Sequence, residues 1–212
     1  MNASTTWERE VKFWVQDLHR LRQRLDAQGA RLLQPRTHEY NLRFDTPDRA
    51  LSRSRQVLRL RQDQHTTLTY KGPTTAQTSV AVREEIELQV SDFRAARRLL
   101  ERLGYQVVLE YEKYRTVYEW DAVQVMLDET PLGDFVEVEG PDTTAIRRAA
   151  EALGLAWEHR ITASYAGLFE RLRDRLHPRP EHLTFAALRP HHPLPTDWLP
   201  APPADAARAS SA

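Results

Sequence analysis

Charged residues recur along this chain at two-residue spacing. Glu8, Glu10 and Lys12 open the series, and Arg59 with Arg61, Lys71, Arg83 with Glu85 and Glu87, Lys113 with Arg115, Asp128, and Glu137 with Glu139 continue it. Alternate residues of a β-strand share a face, so each set projects to one side of its strand. On one isolated surface strand such a face would simply be solvated. Its repetition on later strand-like segments asks for a chemical reason. Lysine and arginine in a concave wall suit a polyanion, and the forked guanidinium matches phosphate oxygens. Carboxylates in the same wall would repel that anion unless a hard divalent cation such as Mg²⁺ or Mn²⁺ stood between them, since these ions take oxygen ligands. Glu8 and Glu10, roughly 6 to 7 Å apart along a strand, can converge on one ion.

Lysine usage narrows the set further. Of thirty basic residues only Lys12, Lys71 and Lys113 are lysines, and all three stand in strand-like segments. An ammonium is a compact point charge where a guanidinium is a planar fork, so the three are candidates for one fitted site.

The elements that must carry these residues follow from hydrophobic periodicity. Strands are expected at 7–13, 31–45, 56–63, 67–71, 80–90, 105–120, 123–128 and 135–140. Amphipathic helices are expected at 17–28, from a cap at Ser91 to Leu103, from a cap at Asp142 to Leu153, and over Tyr165, Leu168, Phe169, Leu172 and Leu176. Short links and the absence of a βαβ rhythm argue for antiparallel pairing. Each strand has an apolar and a charged face. Helices covering the apolar faces from outside leave the charged faces turned into a closed barrel. The expected fold is α+β: seven or eight antiparallel strands in a closed or nearly closed β-barrel with amphipathic helices outside it, its tunnel lined by seven acids and seven bases. So many buried charges are costly without mutual pairing or a charged ligand.

Composition sets the outer bounds. Thirty acidic and thirty basic residues in 212 give zero formal net charge, so nothing global steers the chain toward nucleic acid or a membrane. The absence of cysteine removes disulfides and thiolate chemistry. No apolar run reaches membrane-spanning length and no signal-peptide core is seen, which makes the cytoplasm the default location. Eight of thirteen prolines fall between Pro178 and Pro203. This divides the chain into a domain at 1–176 and a proline-rich tail at 177–212, flexible or partly docked. The tail histidines at 177, 182, 191 and 192 lack partner carboxylates and are poor grounds for a metal site.

Seven short motifs in order carry a family resemblance: Glu8-x-Glu10-x-Lys12, Leu-Arg-Leu-Arg at 58–61, Tyr-Lys-Gly-Pro at 70–73, Arg83-x-Glu85-x-Glu87, Glu-Lys-x-Arg at 112–115, Leu-Asp at 127–128, and Leu-Gly-Asp-Phe-Val-Glu-Val-Glu at 132–139. Together they resemble the CYTH superfamily, or triphosphate tunnel metalloenzymes, over about residues 7 to 170. The resemblance implies an eight-stranded tunnel that binds a triphosphate-containing small molecule with Mg²⁺ or Mn²⁺. It implies metal ligation by Glu8, Glu10, Asp128, Glu137 and Glu139, with Glu85 or Glu87 as further candidates. Phosphate binding would fall to Lys12, Arg59, Arg61, Lys71, Arg83, Lys113 and Arg115, and catalysis to Lys71, Glu85, Glu87, Lys113, Arg115 and Asp128. Its members include inorganic and thiamine triphosphatases and class IV adenylyl cyclases. Hydrolysis of a triphosphate is the leading expectation, cyclisation of ATP the alternative and a non-catalytic nucleotide or polyphosphate module the third, in a monomer or homodimer. The family often places a basic residue before the Ser-Tyr of its last helix. Here Ala163 precedes Ser164-Tyr165, and Arg160 is the nearby candidate to replace it.

Overall fold

The computed structural model describes residues 4–74 and 79–206. Eight strands are formed by β1 (Ser4–Val15), β2 (Arg31–Asp45), β3 (Val57–Gln62), β4 (Thr66–Lys71), β5 (Ala81–Val90), β6 (Gln106–Trp120), β7 (Val123–Thr130) and β8 (Gly133–Glu139). Each pairs antiparallel with its neighbours, and the order β1-β5-β4-β3-β2-β6-β7-β8 closes on itself. The expected closed barrel is what the chain forms.

The alternation decides which side faces outward. Val11 and Phe13 of β1, Val123, Val125 and Leu127 of β7, and Val136 and Val138 of β8 leave the ring and are buried. They are covered by Leu21 and Leu25 of α1 (Leu18–Ala27); α2 (Ala50–Arg53) and α3 (Phe93–Arg102) lie between later strands, and Ile146, Ala149 and Ala150 of α4 (Thr143–Ala152) complete this first core. A smaller core joins Leu42, Phe44 and Leu60 to Leu100 of α3. Asp17 and Asp142 cap α1 and α4 through Arg20 N and Ala145 N. The cap of α3 is Asp92 rather than Ser91: its carboxylate accepts from Ala95 N at 2.6 Å, the three-residue reach of an N-cap. The short helix α2 had no periodic signal. It is held by Asp45, whose buried carboxylate accepts from the backbone N–H groups of Thr46, Leu51 and Ser52.

The ring splits in two places, and later segments fill the splits. β1 pairs with β5 up to Glu10 and with β8 from Glu10 onward. Ile161 forms a bridge at Lys12, with backbone hydrogen bonds of 3.0 and 2.7 Å. β6 meets β7 only from Tyr114 onward, and Leu183 bonds to the backbone of Glu110 and Glu112 before that point. Buried backbone groups need partners, and these two residues supply them.

Residues 177–206, expected to be a flexible or partly docked tail, pack against the barrel. Leu183, Leu188 of α6 (Phe185–Leu188) and Trp198 are buried with Leu168, Phe169 and Leu172 of α5 (Tyr165–Arg173) in a second core. α5 ends at Arg173, so Leu176 packs into this core from beyond the helix in which it was expected. The segment ends beside the start of α1, where Ala204 N donates to Trp14 O at 2.8 Å and the Asp205 carboxylate accepts from Gln16 N and Asp17 N at 3.0 Å. The apolar residues that anchor it are isolated rather than periodic, which is why sequence pattern does not reveal the docking. Trp198→Ala is expected to lower the unfolding free energy by about 3 kcal/mol, as for a buried aromatic truncated in a core; urea denaturation followed by circular dichroism checks it, and an unchanged midpoint would mean that the tail contributes nothing to the fold.

Candidate active site

The inward faces enclose a cavity of about 470 Å³. Glu8, Glu10 and Lys12 reach it from β1, Arg59 and Arg61 from β3, Lys71 from β4, Arg83, Glu85 and Glu87 from β5, Lys113 and Arg115 from β6, and Glu137 and Glu139 from β8. Every expected wall residue therefore lines the cavity except Asp128. That side chain is fully buried behind the wall, clamped by both arms of Arg115 at 2.6 Å, by Lys113 at 3.0 Å and by the Tyr165 hydroxyl at 2.7 Å. A short aspartate on an inward face is overlain by the longer cations beside it. Alternation gives its face but not its depth.

Three charged residues on the wall were missed: Glu39 and Arg43 of β2, and Asp63 just beyond β3. With them the cavity carries eight acids and eight bases. A signal for Glu39 and Arg43 existed, because Tyr40, Leu42 and Phe44 alternate against them. Arg160 does not fill the place it was considered for. Its guanidinium donates to Ser79 O at 2.8 Å and to Trp157 O at 3.1 Å, outside the cavity lining.

The wall carries two ion networks that join at Glu10. In one, Lys71 bonds Glu8 at 2.6 Å and Glu85 at 3.1 Å, while Arg83 bonds Glu8 at 2.9 Å and lies 3.6 Å from Glu10. Arg59 extends it to Glu87 at 3.5 Å, and the Thr69 hydroxyl donates to Glu87 at 2.9 Å. In the other, Lys12 stands 3.4 Å from both Glu10 and Glu137, and Arg115 ties Glu137 to Asp128. Lys113 joins Asp128 to Glu39, 3.7 Å away. Both lysines sit over the Tyr165 ring, Lys12 at 5.3 Å and Lys113 at 5.1 Å. A cation over an aromatic face is attracted by the ring quadrupole.

The electrostatic consequences diverge along the wall. Burial pushes Glu8 up, yet Lys71 and Arg83 outweigh it and hold the carboxyl at about 2. Glu137 follows the same logic: burial raises it, and Lys12 and Arg115 keep it well below the ordinary range. Glu85 goes the other way, to about 7, because burial is met by a Lys71 already shared with Glu8, whose charge repels it. Glu139 is also pushed up to about 7, first by burial and then by Glu8, Glu10 and Glu85. It has no ion-pair partner among the described residues, and it faces Glu10 directly across the β1–β8 ladder.

This donor set fits a hard divalent cation. Glu8, Glu10 and Glu139 offer only oxygen, and their mutual repulsion is the field a bound cation relieves. As the side chains lie, Glu8 and Glu10 are turned to Lys71, Arg83 and Lys12, and among the described residues no three acidic or histidine side chains stand in a metal-holding group.

The family model described as the CYTH domain matches residues 7–158. The chain belongs to the CYTH domain family. A Methanocaldococcus jannaschii protein named "Putative adenylate cyclase" is 29% identical to this CYTH protein over 134 residues, covering 62% of this chain and 75% of the relative. A solved Pyrococcus horikoshii structure is 27% identical, with a TM-score of 0.63 over 77% of this chain and 98% of its own. A Hippeastrum structure shares the fold at 19% identity, with a TM-score of 0.56 over 77% of this chain and 95% of its own; that protein is described as a putative adenylyl cyclase with a dominant triphosphatase activity. The CYTH match ends before α5 and the docked segment.

The raised carboxyl of Glu139 has a direct thermodynamic consequence. The folded protein retains a proton that the unfolded chain releases above its ordinary value of 4.5, so this contribution is complete below 4.5 and is lost as the pH rises through about 7. Without divalent cation, the thermal midpoint is expected to fall between about pH 5 and pH 7.5, and Glu139→Gln to flatten part of that fall, Glu85 supplying the rest. Scanning calorimetry across this range checks it; an unaltered slope in the variant would contradict the assignment.

Proposed function

We propose that this CYTH protein hydrolyses a triphosphate in its tunnel with Mg²⁺ or Mn²⁺ as cofactor. The observation that supports this most is a wall with surplus charge of both signs. Among the described residues Glu139 and Arg43, both largely buried on the same cavity, make no ion pair and feel only the longer-range pull of Lys71 and of Asp45. A phosphate chain carrying a divalent cation supplies a partner to each. Lys12, Arg59, Arg61, Lys71, Arg83, Lys113 and Arg115 bind phosphate oxygens, and Arg43 adds to them. Glu8, Glu10, Glu137 and Glu139 hold the cation, which neutralises phosphate charge when bound. Asp128 sets the positions of Lys113 and Arg115 from behind the wall.

Phosphoryl transfer leaves little covalent work to the protein, so positioning and charge stabilisation dominate. Water attacks the terminal phosphorus, the bond to the bridging oxygen breaks, and the diphosphate leaves onto the cationic wall. Glu85, with its carboxyl near 7 and within the cavity, accepts the proton of the attacking water. Cyclisation of ATP, releasing pyrophosphate, is the second reading; the printed name of the Methanocaldococcus jannaschii relative favours it. Triphosphatase activity described for a protein of this fold favours hydrolysis.

Incubation with tripolyphosphate, ATP or thiamine triphosphate, with Mg²⁺ or Mn²⁺, followed by resolution of phosphate, pyrophosphate and cyclic AMP, separates the readings. Orthophosphate with a diphosphate product is expected; cyclic AMP with pyrophosphate would establish the second reading, and no product from any substrate would contradict both. Glu10→Gln is expected to lower metal-supported kcat/KM by about 10² to 10³ while leaving the fold intact. The reason for retained folding is that Lys12 keeps Glu137 at 3.4 Å and Arg83 keeps Glu8 at 2.9 Å. Equal losses of activity and folded protein would make Glu10 a structural residue.

A further inference from the structure

One stretch of the tunnel wall carries no charge. Along the first part of β2 the register against β6 shifts between Leu32 and Gln34 and again between Gln34 and Thr37. Regular strand geometry sends successive side chains to opposite faces, yet Leu33 and Gln34 both line the cavity. Irregularities of this kind re-aim side chains, and they cluster beside functional sites. Gln34 lies opposite Val117 of β6, and Val117 lies opposite Met126 of β7. Leu33, Gln34, Val117, Met126 and Gln124 therefore form one uncharged patch in a wall otherwise dominated by ions. Met126 pairs with Glu137, which in turn pairs with Lys12, so the patch borders the ion networks directly.

Gln34 supplies the second observation. Its side-chain Nε2 is shielded from solvent and has no hydrogen-bond partner among the described residues. A buried donor without an acceptor is costly, and because Gln34 itself lines the cavity, a rotation of its amide would offer that donor to a ligand atom. Apolar side chains with one oriented donor are the make-up of a subsite for an organic group, whereas an inorganic polyphosphate, anionic at both ends, gains nothing from them.

We propose that this patch binds the organic head of the substrate, so that the tunnel takes an organic triphosphate ester in preference to inorganic tripolyphosphate. The head presents an uncharged hydrogen-bond acceptor, such as a ring nitrogen or carbonyl, to Gln34 Nε2 and an apolar face to Leu33, Val117 and Met126. The inference rests on the triphosphate reading of the tunnel and specifies its substrate class.

Its test compares Mg²⁺-loaded wild type with Gln34→Leu, which removes the donor while keeping the volume, using ATP, CTP, thiamine triphosphate and tripolyphosphate, by calorimetric binding and by initial rates. At least one organic triphosphate is expected to bind the wild type about tenfold more tightly than tripolyphosphate, and Gln34→Leu to raise its KM about tenfold with tripolyphosphate kinetics unchanged. Gln34→Met, which keeps the length of the side chain and removes the donor without adding charge, is expected to show the same selective loss and serves if the leucine variant does not fold. Tripolyphosphate preferred by the wild type, or a loss equal for all ligands, would overturn the organic subsite while leaving the triphosphate reading standing. Failure of every triphosphate to bind would overturn both.

Discussion

Eight acids and eight bases enclosed by one ring of strands must compensate one another, and the rest of the molecule answers to that constraint. An unpaired ion taken out of water costs far more than any single packing contact returns. The cost is met by alternation of sign around the wall: Lys71 between Glu8 and Glu85, Arg83 between Glu8 and Glu10, Lys12 between Glu10 and Glu137. Because the inside is ionic, the apolar residues of the strands have only the outside on which to be buried. Helices α1, α3, α4 and α5 and the segment after His177 supply that cover in three separate cores.

The same constraint couples the outer layer to the wall. Tyr165 begins α5, packs edge-on against Phe135 in the second core, and donates its hydroxyl to Asp128. Asp128 in turn fixes Lys113 and Arg115. The outer face of α5 is covered by Leu183, Leu188 and Trp198 from the docked segment, so the placement of two tunnel cations depends on packing that begins some twenty residues later in the chain. Glu139 and Arg43 line the cavity without an ion pair among the described residues, and under the proposed function their charge is what a ligand would meet. Under the proposed function, these two residues and Gln34 are points at which a ligand would meet the wall.

Much of this was legible in the sequence because sign and polarity alternate strictly in most strands. Val11 and Phe13 against Glu10 and Lys12, or Val136 and Val138 against Glu137 and Glu139, give both the element and the face. The first part of β2 was not legible: Pro35 and two register shifts break the period and hid Gln34, whereas Glu39 and Arg43, alternating with Tyr40, Leu42 and Phe44 beyond it, left a readable signal. Depth was also invisible, since Asp128 shares an inward face with residues that reach the cavity yet lies beneath longer side chains. Docking of residues 177–206 rests on single apolar anchors and backbone bridges, neither of which leaves a periodic trace.

The proposed binding of a metal-bound triphosphate in the tunnel can be observed directly. Diffraction from crystals grown with Mn²⁺ and a non-hydrolysable triphosphate, with data collected at the manganese absorption edge, reports the cation and the phosphates together. An anomalous peak among Glu8, Glu10 and Glu139, with phosphate oxygens on Lys12, Lys71 and Arg115, is the expected result. A tunnel that keeps its internal ion pairs unchanged under saturating ligand, with manganese absent or bound only outside it, would contradict the central claim.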